Sequence, residues 1–371
     1  MNLSSAVQGL EIHGRRFHVG VTRLQLAAQA GVLVEALALL LVSAQVLAHP
    51  CPELGAGGGA ALAEMHQVAA AGHALDLHLA EGAALAGARG DCGHARACRR
   101  RQLRAYAEPP CAVIRVLQLS DPHLLADPRG LCRGREALAC LQHAWGQSLA
   151  QLGERPDLLL ISGDLCQDES WGGYVRLRQL LERWEVPAAL VPGNHDNAAL
   201  LRAALGRRAW IAPALVPLGA WGLLLLSSHR PRAVEGWIDP RQREWLRHQL
   251  AQADRPLLVA LHHPPVAIGS PGLDGIALQD PQRLLQPLLA CAQVRGLVFG
   301  HVHQHWQGSL QRSLAAEPMR LWGCPSTLAP FTAAQPCPLG RADWPGGRLL
   351  ELGADGVITT RLLRWRPWEP A

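Results

Sequence analysis

The 371-residue sequence contains no lysine, so its basic side chains other than histidine are all arginines. The formal net charge is only +5, and the arginines are scattered, with Arg99–Arg101 as the one triplet. A nucleic-acid-binding protein is expected to carry a concentrated basic patch or stripe. Because the sequence lacks such a patch, we expect no nucleic-acid partner.

The ten cysteines form neither Cys-x-x-Cys pairs nor a dense framework, and none lies in a motif that suggests a nucleophile. Disulfide frameworks are typical of small secreted domains, whereas scattered cysteines in a long chain are usually reduced. This pattern predicts a cytoplasmic protein.

Aromatic residues are nearly absent from residues 1–110, which contain only Phe17 and Tyr106, whereas all 12 tryptophans lie at Trp145 or later. A dense core is built from large apolar side chains. We therefore predict that residues 1–110 are a poorly ordered extension outside the fold, and that residues 111–371 form the folded domain.

One long apolar run within this segment, residues 24–48, raises the alternative of a membrane-attached protein. The run begins too late for an ordinary signal peptide, and Glu35 and three glutamines interrupt it. A charged residue inside a membrane span is costly. We therefore expect no membrane association.

From about Val113 onward, short apolar runs alternate with longer segments whose apolar residues have helical spacing. The strand-like runs are VIRVLQLS (113–120), DLLLIS (157–162), AALV (188–191), GLLLLSS (222–228), PLLVAL (256–261) and GLVFG (296–300). The helical segments are Glu136–Leu152, Gly172–Trp184, Pro240–Ala253 and Pro281–Ala292. This alternation favours an α/β layered fold. Near the end, RLLEL (348–352) and GVITTRLLRW (356–365) predict an antiparallel hairpin.

Five of the strand-like runs end in side chains that can bind metal ions. They are Asp121 and His123 in LQLSDPH, Asp164 in LLISGDLCQD, Asn194 and His195 in LVPGNHD, His262 and His263 in VALHHPP, and His301 and His303 in VFGHVHQH. Because the carboxyl ends of the strands of an open α/β sheet face one crevice, we expect these side chains to converge.

The ligand types indicate which metals such a site would bind. Carboxylate, amide and imidazole ligands together suit manganese, iron, zinc, cobalt or nickel. No cysteine lies at these positions, which argues against a structural zinc site. These side chains are too many for one catalytic ion, whereas seven of them would suit two ions that share a carboxylate. Two such ions, roughly 3.5–4 Å apart, can stabilise a displacement at phosphorus.

The ordered motifs D-x-H, GD, GNHD, HH and GHVH resemble those of the calcineurin-like metallophosphoesterases. More narrowly, LQLSDPHL, SGDLCQD, LVPGNHD, ALHHPPV and FGHVHQ look like motifs of the bacterial class III cyclic nucleotide phosphodiesterases, and GCPST (323–327) is similar to a later segment of that group. The similarity spans roughly Val113–Trp365. It implies a layered αββα sandwich with mixed sheets, two divalent metal ions as cofactors, and hydrolysis of a small phosphodiester, 3′,5′-cyclic AMP, to AMP.

The resemblance also assigns roles to the candidate residues. One ion would be bound by Asp121, His123, Asp164 and His303, and the other by Asp164, Asn194, His262 and His301. Asp164 would therefore bridge the ions, and a hydroxide shared by them would attack phosphorus. The substrate would contact His123, Asn194, His195 and His303. The position of His195 implies a catalytic residue that protonates or stabilises the leaving oxygen.

Neighbouring polar residues keep more than one interpretation. His263 is expected to pack or to support a metal-bound imidazole. Asp196 and Asp168 either orient nearby groups or serve as a helix N-cap and a solvated loop carboxylate, respectively. His229 and His305 are expected to be surface or supporting residues rather than ligands.

Two other functions remain as alternatives. The first is a phosphomonoesterase, glycerophosphodiesterase or nucleotide pyrophosphatase on the same scaffold, because a fold determines its substrate poorly. The second is a non-catalytic scaffold, although such a protein would be expected to lose ligands. The sequence does not indicate an oligomeric state.

Overall fold

The computed structural model describes residues 113–312 and 317–370, together with the backbone of residues 9–12 and 15–18. The described residues fall into two units, one that ends by residue 90 and one that lies from residue 91 onward. In the first unit, strands β1 (Gly9–Ile12) and β2 (Arg15–His18) pair antiparallel, which was not predicted. The other residues of the predicted N-terminal extension, including the apolar run 24–48, lie outside the described residues. None of the helices described is both long enough and apolar enough to cross a membrane.

The second unit alternates strands and helices. Its strands are β3 (Ile114–Leu119), β4 (Leu131–Cys132), β5 (Arg135–Glu136), β6 (Leu158–Ser162), β7 (Ala188–Val191), β8 (Trp210–Ile211), β9 (Ala214–Leu218), β10 (Trp221–Leu225), β11 (Leu257–Leu261), β12 (Val294–Phe299), β13 (Trp306–Leu310), β14 (Met319–Gly323), β15 (Gly346–Leu352) and β16 (Ile358–Arg364). Its helices are α1 (Ala137–Leu152), α2 (Trp171–Trp184), α3 (Ala198–Leu205), α4 (Pro240–Ala251), α5 (Pro271–Asp274) and α6 (Gln282–Ala290). Every predicted strand and helix of this unit is present near its predicted bounds.

Two six-stranded sheets, both mixed, form the centre of this unit. The first has the strand order β16-β15-β3-β6-β7-β8, and the second has the order β13-β14-β12-β11-β10-β9. Within the first sheet, β3, β6 and β7 are parallel neighbours, and within the second, β10, β11 and β12 are parallel neighbours. The predicted C-terminal hairpin is the antiparallel pair β15–β16.

The central strands β6, β7 and β11 are apolar except for Ser162 at the end of β6, because both of their faces are buried, as is typical of parallel strands. In β6, Leu158 and Leu160 pack against the second sheet, whereas Leu159 and Ile161 pack against the helices α1 and α2. In β11, the alternate residues likewise divide between the core that joins the two sheets and a third core beneath α4 and α6. The resulting order is helices, sheet, sheet, helices, which confirms the αββα prediction.

Candidate metal centre

The loops that follow β3 and β6 lie side by side and are joined through their backbones. Asp121 N donates to Gly163 O at 3.1 Å, His123 N donates to Asp164 O at 2.9 Å, and Leu124 continues the pattern as a parallel bridge with Cys166. These bonds fix the carboxylates of Asp121 and Asp164 at the same edge of the sheet.

The first cluster contains the side chains of Asp121, His123, Asp164 and His303, whose potential ligand atoms lie within 4.8 Å of one another. His123 Nε2 and His303 Nε2 are 3.2 Å apart. Asp121 Oδ1 lies 3.6 Å from His303 Nε2, and Asp164 Oδ2 lies 3.8 Å from His123 Nε2. All four side chains are buried.

The second cluster forms around the amide oxygen of Asn194. Asn194 Oδ1 lies 3.2 Å from His262 Nε2 and 3.1 Å from His301 Nδ1, and the two imidazole nitrogens are 3.2 Å apart. Asp164 Oδ1 lies 3.4 Å from His262 Nε2. Asp164 therefore faces the first cluster with one oxygen and the second cluster with the other, as a bridging ligand would.

The charges of these side chains fit divalent cations. Burial lowers the pKa of His123 to about 4 and that of His301 to about 3, so both imidazoles are neutral at pH 7 and have a free lone pair. Burial and the nearby Asp164 carboxylate raise the pKa of Asp121, as expected when two acids share a buried site without a compensating charge. Buried carboxylates usually pair with a charge or coordinate a metal.

The distances are also those of donors around a shared ion. Two metal–ligand bonds of about 2.0–2.2 Å bring their donor atoms to within about 4.4 Å of each other. The donor separations in both clusters are 3.1–3.8 Å. The residues present therefore fit a pair of divalent cations.

The backbone of the centre is strained. Five of the seven candidate ligands have a positive φ, namely Asp121 (51°), His123 (48°), Asp164 (45°), His301 (66°) and His303 (53°). A residue held in this region costs on the order of 1 kcal/mol or more, and such residues concentrate at functional sites. The backbone hydrogen bonds between the loops after β3 and β6 keep Asp121, His123 and Asp164 in this conformation. The surrounding fold therefore enforces the geometry of these ligands.

Gly193 provides a test of how tightly this loop fits. A Cβ atom at Gly193 would overlap the Asp164 carboxylate and the Asp164 amide nitrogen. We expect Gly193→Ala to displace Asp164 and to lower any metal-dependent activity of the centre by about 100-fold, since a misplacement of about 1 Å costs this much. The matched control is Gly146→Ala in α1, where a Cβ atom meets no atom within 4 Å. Unchanged activity in Gly193→Ala would contradict the close approach of Gly193 to Asp164.

His195 follows Asn194 directly and lies beside the first cluster. Its ring centroid is 5.3 Å from that of His123, and its backbone N donates to Asp164 Oδ1 at 3.0 Å. Gln167 Nε2 lies 3.2 Å from His195 Nδ1, while the Cys132 thiol donates to Gln167 Oε1. An amide N–H can only donate, so Nδ1 accepts and the ring proton of His195 is on Nε2.

His263 differs from its neighbour His262 in how its nitrogens are used. His263 Nδ1 lies 2.8 Å from Ser228 Oγ, and Nε2 lies 2.9 Å from Val234 O. His262 instead donates only through Nδ1, to Ser162 O at 2.9 Å, and directs Nε2 into the second cluster. Of the two, His262 therefore has the nitrogen that is free to bind a metal ion.

The N-cap interpretation of Asp196 is wrong. Asn197 caps α3, because its side chain accepts from Ala199 N and Leu200 N. Asp196 is instead buried, and its two oxygens accept four hydrogen bonds, from Leu165 N, Cys166 N, Gly193 N and Tyr174 Oη. Asp196 thereby ties the loop that carries Asn194 to the loop that carries Asp164.

The remaining polar residues lie outside both clusters. Asp168 is exposed and accepts from Ala126 N at 3.0 Å, so it supports the neighbouring loop. His229 is partly buried. His305 is buried rather than at the surface, and its Nδ1 lies 3.0 Å from Arg348 Nη2, outside both clusters.

Sequence reasoning missed several residues that contact the centre. Gln167 follows the GD motif closely, so its position in SGDLCQD was an available signal. Tyr174 on α2 and Phe331 had no such signal. The Phe331 ring stacks on His303 with centroids 4.0 Å apart and planes 12° apart.

Comparison with known proteins identifies the family. Residues 114–305 match the family model of the calcineurin-like phosphoesterases. A probable cyclic nucleotide phosphodiesterase of Synechococcus sp. (strain WH7803) is 46% identical over 267 residues, which cover 69% of this chain and 98% of the relative. The 3′,5′-cyclic adenosine monophosphate phosphodiesterases of Pseudomonas aeruginosa and Escherichia coli (strain K12) are 35% and 33% identical, and each alignment covers 68% of this chain and 90% of the relative.

These matches and the geometry agree on the kind of protein. The centre contains candidate ligands for two cations, among them Asp121, His123, Asp164, His262 and His303, which supports the predicted dinuclear cofactor without identifying the metals. The prediction of a metal-dependent hydrolase is confirmed at the level of the family. The chain belongs to the calcineurin-like phosphoesterases.

Proposed function

We propose that the chain is a phosphodiesterase that hydrolyses 3′,5′-cyclic nucleotides, cyclic AMP to AMP in particular. The observation that carries this proposal is the pair of ligand clusters joined through the two oxygens of Asp164. Relatives that align over 90–98% of their own length are named as cyclic nucleotide phosphodiesterases, which supports the choice of substrate.

The proposal assigns the seven ligands to two ions. Asp121, His123, Asp164 and His303 would hold one, and Asp164, Asn194, His262 and His301 would hold the other. Two bound divalent cations would neutralise charge on the phosphate oxygens and make a nucleophile available near neutral pH. The loop bonds between β3 and β6, together with Asp196, hold the donors in place.

His195 has the role of hydrogen-bond donor that stabilises the leaving oxygen. Its proton is on Nε2 because Nδ1 accepts from Gln167. His195 is only partly buried, so Nε2–H can reach a bound substrate. When the 3′ oxygen leaves, Nε2–H donates a hydrogen bond that stabilises the developing negative charge, the imidazole keeps its proton, and the oxygen takes its proton from solvent. His123, Asn194 and His303 would contact the phosphate beside it.

Gln167 should therefore act through His195. Gln167→Ala leaves the tautomer of His195 free, and we expect the turnover of cyclic AMP to fall about 10-fold while the metal content is unchanged, as for supporting groups at metal sites. Gln252→Ala on the exposed end of α4 is the matched control. Steady-state kinetics and metal analysis measure the effect, and full activity in Gln167→Ala would contradict the role.

The proposal includes the domain and the location. Residues 111–371 would be the catalytic domain and residues 1–110 an extension outside it, which is supported by the start of the family match at residue 114. The cytoplasmic location is proposed from the sequence pattern of scattered cysteines.

A substrate panel tests the proposal. The purified chain with added manganese is assayed with 3′,5′-cyclic AMP, 5′-AMP, a glycerophosphodiester and ATP. We expect the highest kcat/KM for cyclic AMP, with AMP as product. A higher kcat/KM for one of the other three would assign the corresponding alternative activity, and no hydrolysis of any of them in a metal-loaded sample would favour the non-catalytic scaffold.

A further inference from the structure

A tight hairpin presents Arg133 at the edge of the centre. Strands β4 and β5 pair antiparallel with Cys132 opposite Arg135, which leaves Arg133 and Gly134 as a two-residue turn. Both turn residues have a positive φ, 51° and 74°, as a type I′ turn requires. Glycine adopts this conformation freely, but arginine does so only under strain, and such strain concentrates at functional positions.

Arg133 reaches the centre through an aromatic stack. Its guanidinium carbon lies 4.6 Å from the ring centroid of Phe331, and that ring stacks on His303. His303 Nδ1 in turn lies 2.8 Å from Ala329 O, at the start of the loop that carries Phe331. The hairpin and the loop therefore meet directly above a candidate ligand.

The guanidinium remains open to a ligand. Arg133 is exposed, whereas His303 beneath the stack is buried. A planar cation that is held on an aromatic ring and partly open to solvent is a suitable surface for a second planar group.

We propose that Arg133 is a specificity-determining residue that stacks on the base of a bound nucleotide, with Phe331 as its positioning residue. This inference rests on the proposed function, since it assumes a substrate with an aromatic base beside its phosphodiester. Arginine planes stack on nucleic-acid bases, and such stacking changes affinity by about 10-fold or more. A guanidinium also binds phosphate oxygens, and that contact is the competing outcome of the test.

Two probes that differ only in the base isolate the stacking. The readout is hydrolysis of bis-p-nitrophenyl phosphate by the metal-loaded chain. In this assay, 5′-AMP and ribose 5-phosphate are measured as competitive inhibitors. We expect the inhibition constant of 5′-AMP to be about 10-fold below that of ribose 5-phosphate. In Arg133→Ala this preference disappears, because only the constant for 5′-AMP rises. In Arg133→Lys it also disappears, since an ammonium group has no plane to stack.

Other variants complete the design. Phe331→Leu should reduce the preference for 5′-AMP, because the guanidinium loses its support. Arg129→Ala removes the same charge from an exposed position in the same segment and should keep the preference. Equal rises of both inhibition constants in Arg133→Ala, with recovery in Arg133→Lys, would replace stacking by a phosphate contact and overturn the inference. An unchanged preference in Arg133→Ala would overturn it as well.

The failure of this inference is distinguishable from failure of the proposed function. If the chain hydrolyses bis-p-nitrophenyl phosphate but not cyclic AMP, the proposed substrate is wrong, and the ratio of inhibition constants still tests Arg133. If the chain hydrolyses cyclic AMP and shows no preference for 5′-AMP over ribose 5-phosphate, only the role of Arg133 is wrong.

Discussion

Asp164→Asn is expected to lower kcat/KM for cyclic AMP by about 1,000-fold or more and to reduce the metal content from two ions per chain to one or none. The carboxylate faces one cluster with each oxygen, at 3.8 Å from His123 Nε2 and at 3.4 Å from His262 Nε2. An amide has only one acceptor oxygen and no negative charge, so it cannot present a separate anionic oxygen to each cation. Cation catalysis supplies several kcal/mol, and each 1.4 kcal/mol corresponds to about 10-fold in rate.

Asparagine is the informative substitution because it isolates the charge. It has nearly the shape of aspartate and tolerates the positive φ of 45° at position 164. Asp254→Asn, at an exposed carboxylate paired with Arg255, is the control. Steady-state kinetics and elemental analysis measure both effects. Two bound ions and near-normal turnover in Asp164→Asn would refute the bridging role.

His195→Ala is expected to lower the turnover of cyclic AMP by about 100-fold to 1,000-fold while the chain keeps two metal ions. Loss of one hydrogen-bond donor to a developing oxyanion costs about 100-fold to 1,000-fold. The metal ions should remain because the hydrogen bond to Asp164 Oδ1 comes from the backbone N of residue 195, which alanine retains. The effect should thus appear in turnover and not in metal content.

The leaving group provides a sharper test of the same residue. The p-nitrophenolate ion is a better leaving group than a ribose 3′ oxygen and needs less stabilisation by a hydrogen-bond donor. The loss in His195→Ala should therefore be at least about 10-fold smaller for bis-p-nitrophenyl phosphate than for cyclic AMP. His248→Ala, at an exposed histidine of α4, serves as the control. Equal losses for both substrates would show that His195 does not stabilise the leaving oxygen.

The strands and helices around the centre could be predicted because burial leaves a strong pattern. The run AALV (188–191) coincides with β7, and the central strands read as continuous apolar runs since both faces are covered. The candidate ligands stand directly after these runs, so short motifs predicted the side chains that the structure brings together. The choice of which strands pair with each other leaves no such pattern in the sequence. The strands β8, β9, β13 and β14 were not predicted.

The route by which the ligands converge differs from the prediction. We expected the strand ends to meet at the crevice of one open sheet, but Asp121, Asp164 and Asn194 follow strands of the first sheet, whereas His262 and His301 follow strands of the second. The side chain of Gln118 links the two sheets, because its Nε2 donates to Ser162 Oγ in its own sheet and to Phe299 O in the other. Periodicity reports which residues are buried but not which sheet a strand joins.

Local rules also could not decide between adjacent polar residues. Asp196 and Asn197 are both good N-cap residues before the apolar run of α3. The structure assigns the cap to Asn197, because Asp196 is turned inward to four donors that come from other loops and from α2. The contact between Arg133 and Phe331 similarly joins segments that are distant in the sequence, so no local motif could reveal it.

Anomalous X-ray diffraction from crystals of the chain grown with Mn²⁺ tests the dinuclear centre most directly. We expect two manganese peaks roughly 3.5–4 Å apart on either side of Asp164. One should lie within bonding distance of Nε2 of His123 and of His303, and the other within bonding distance of His262 Nε2 and Asn194 Oδ1. A single peak, or no peak beside Asp164 at saturating manganese, would contradict a two-cation phosphodiesterase.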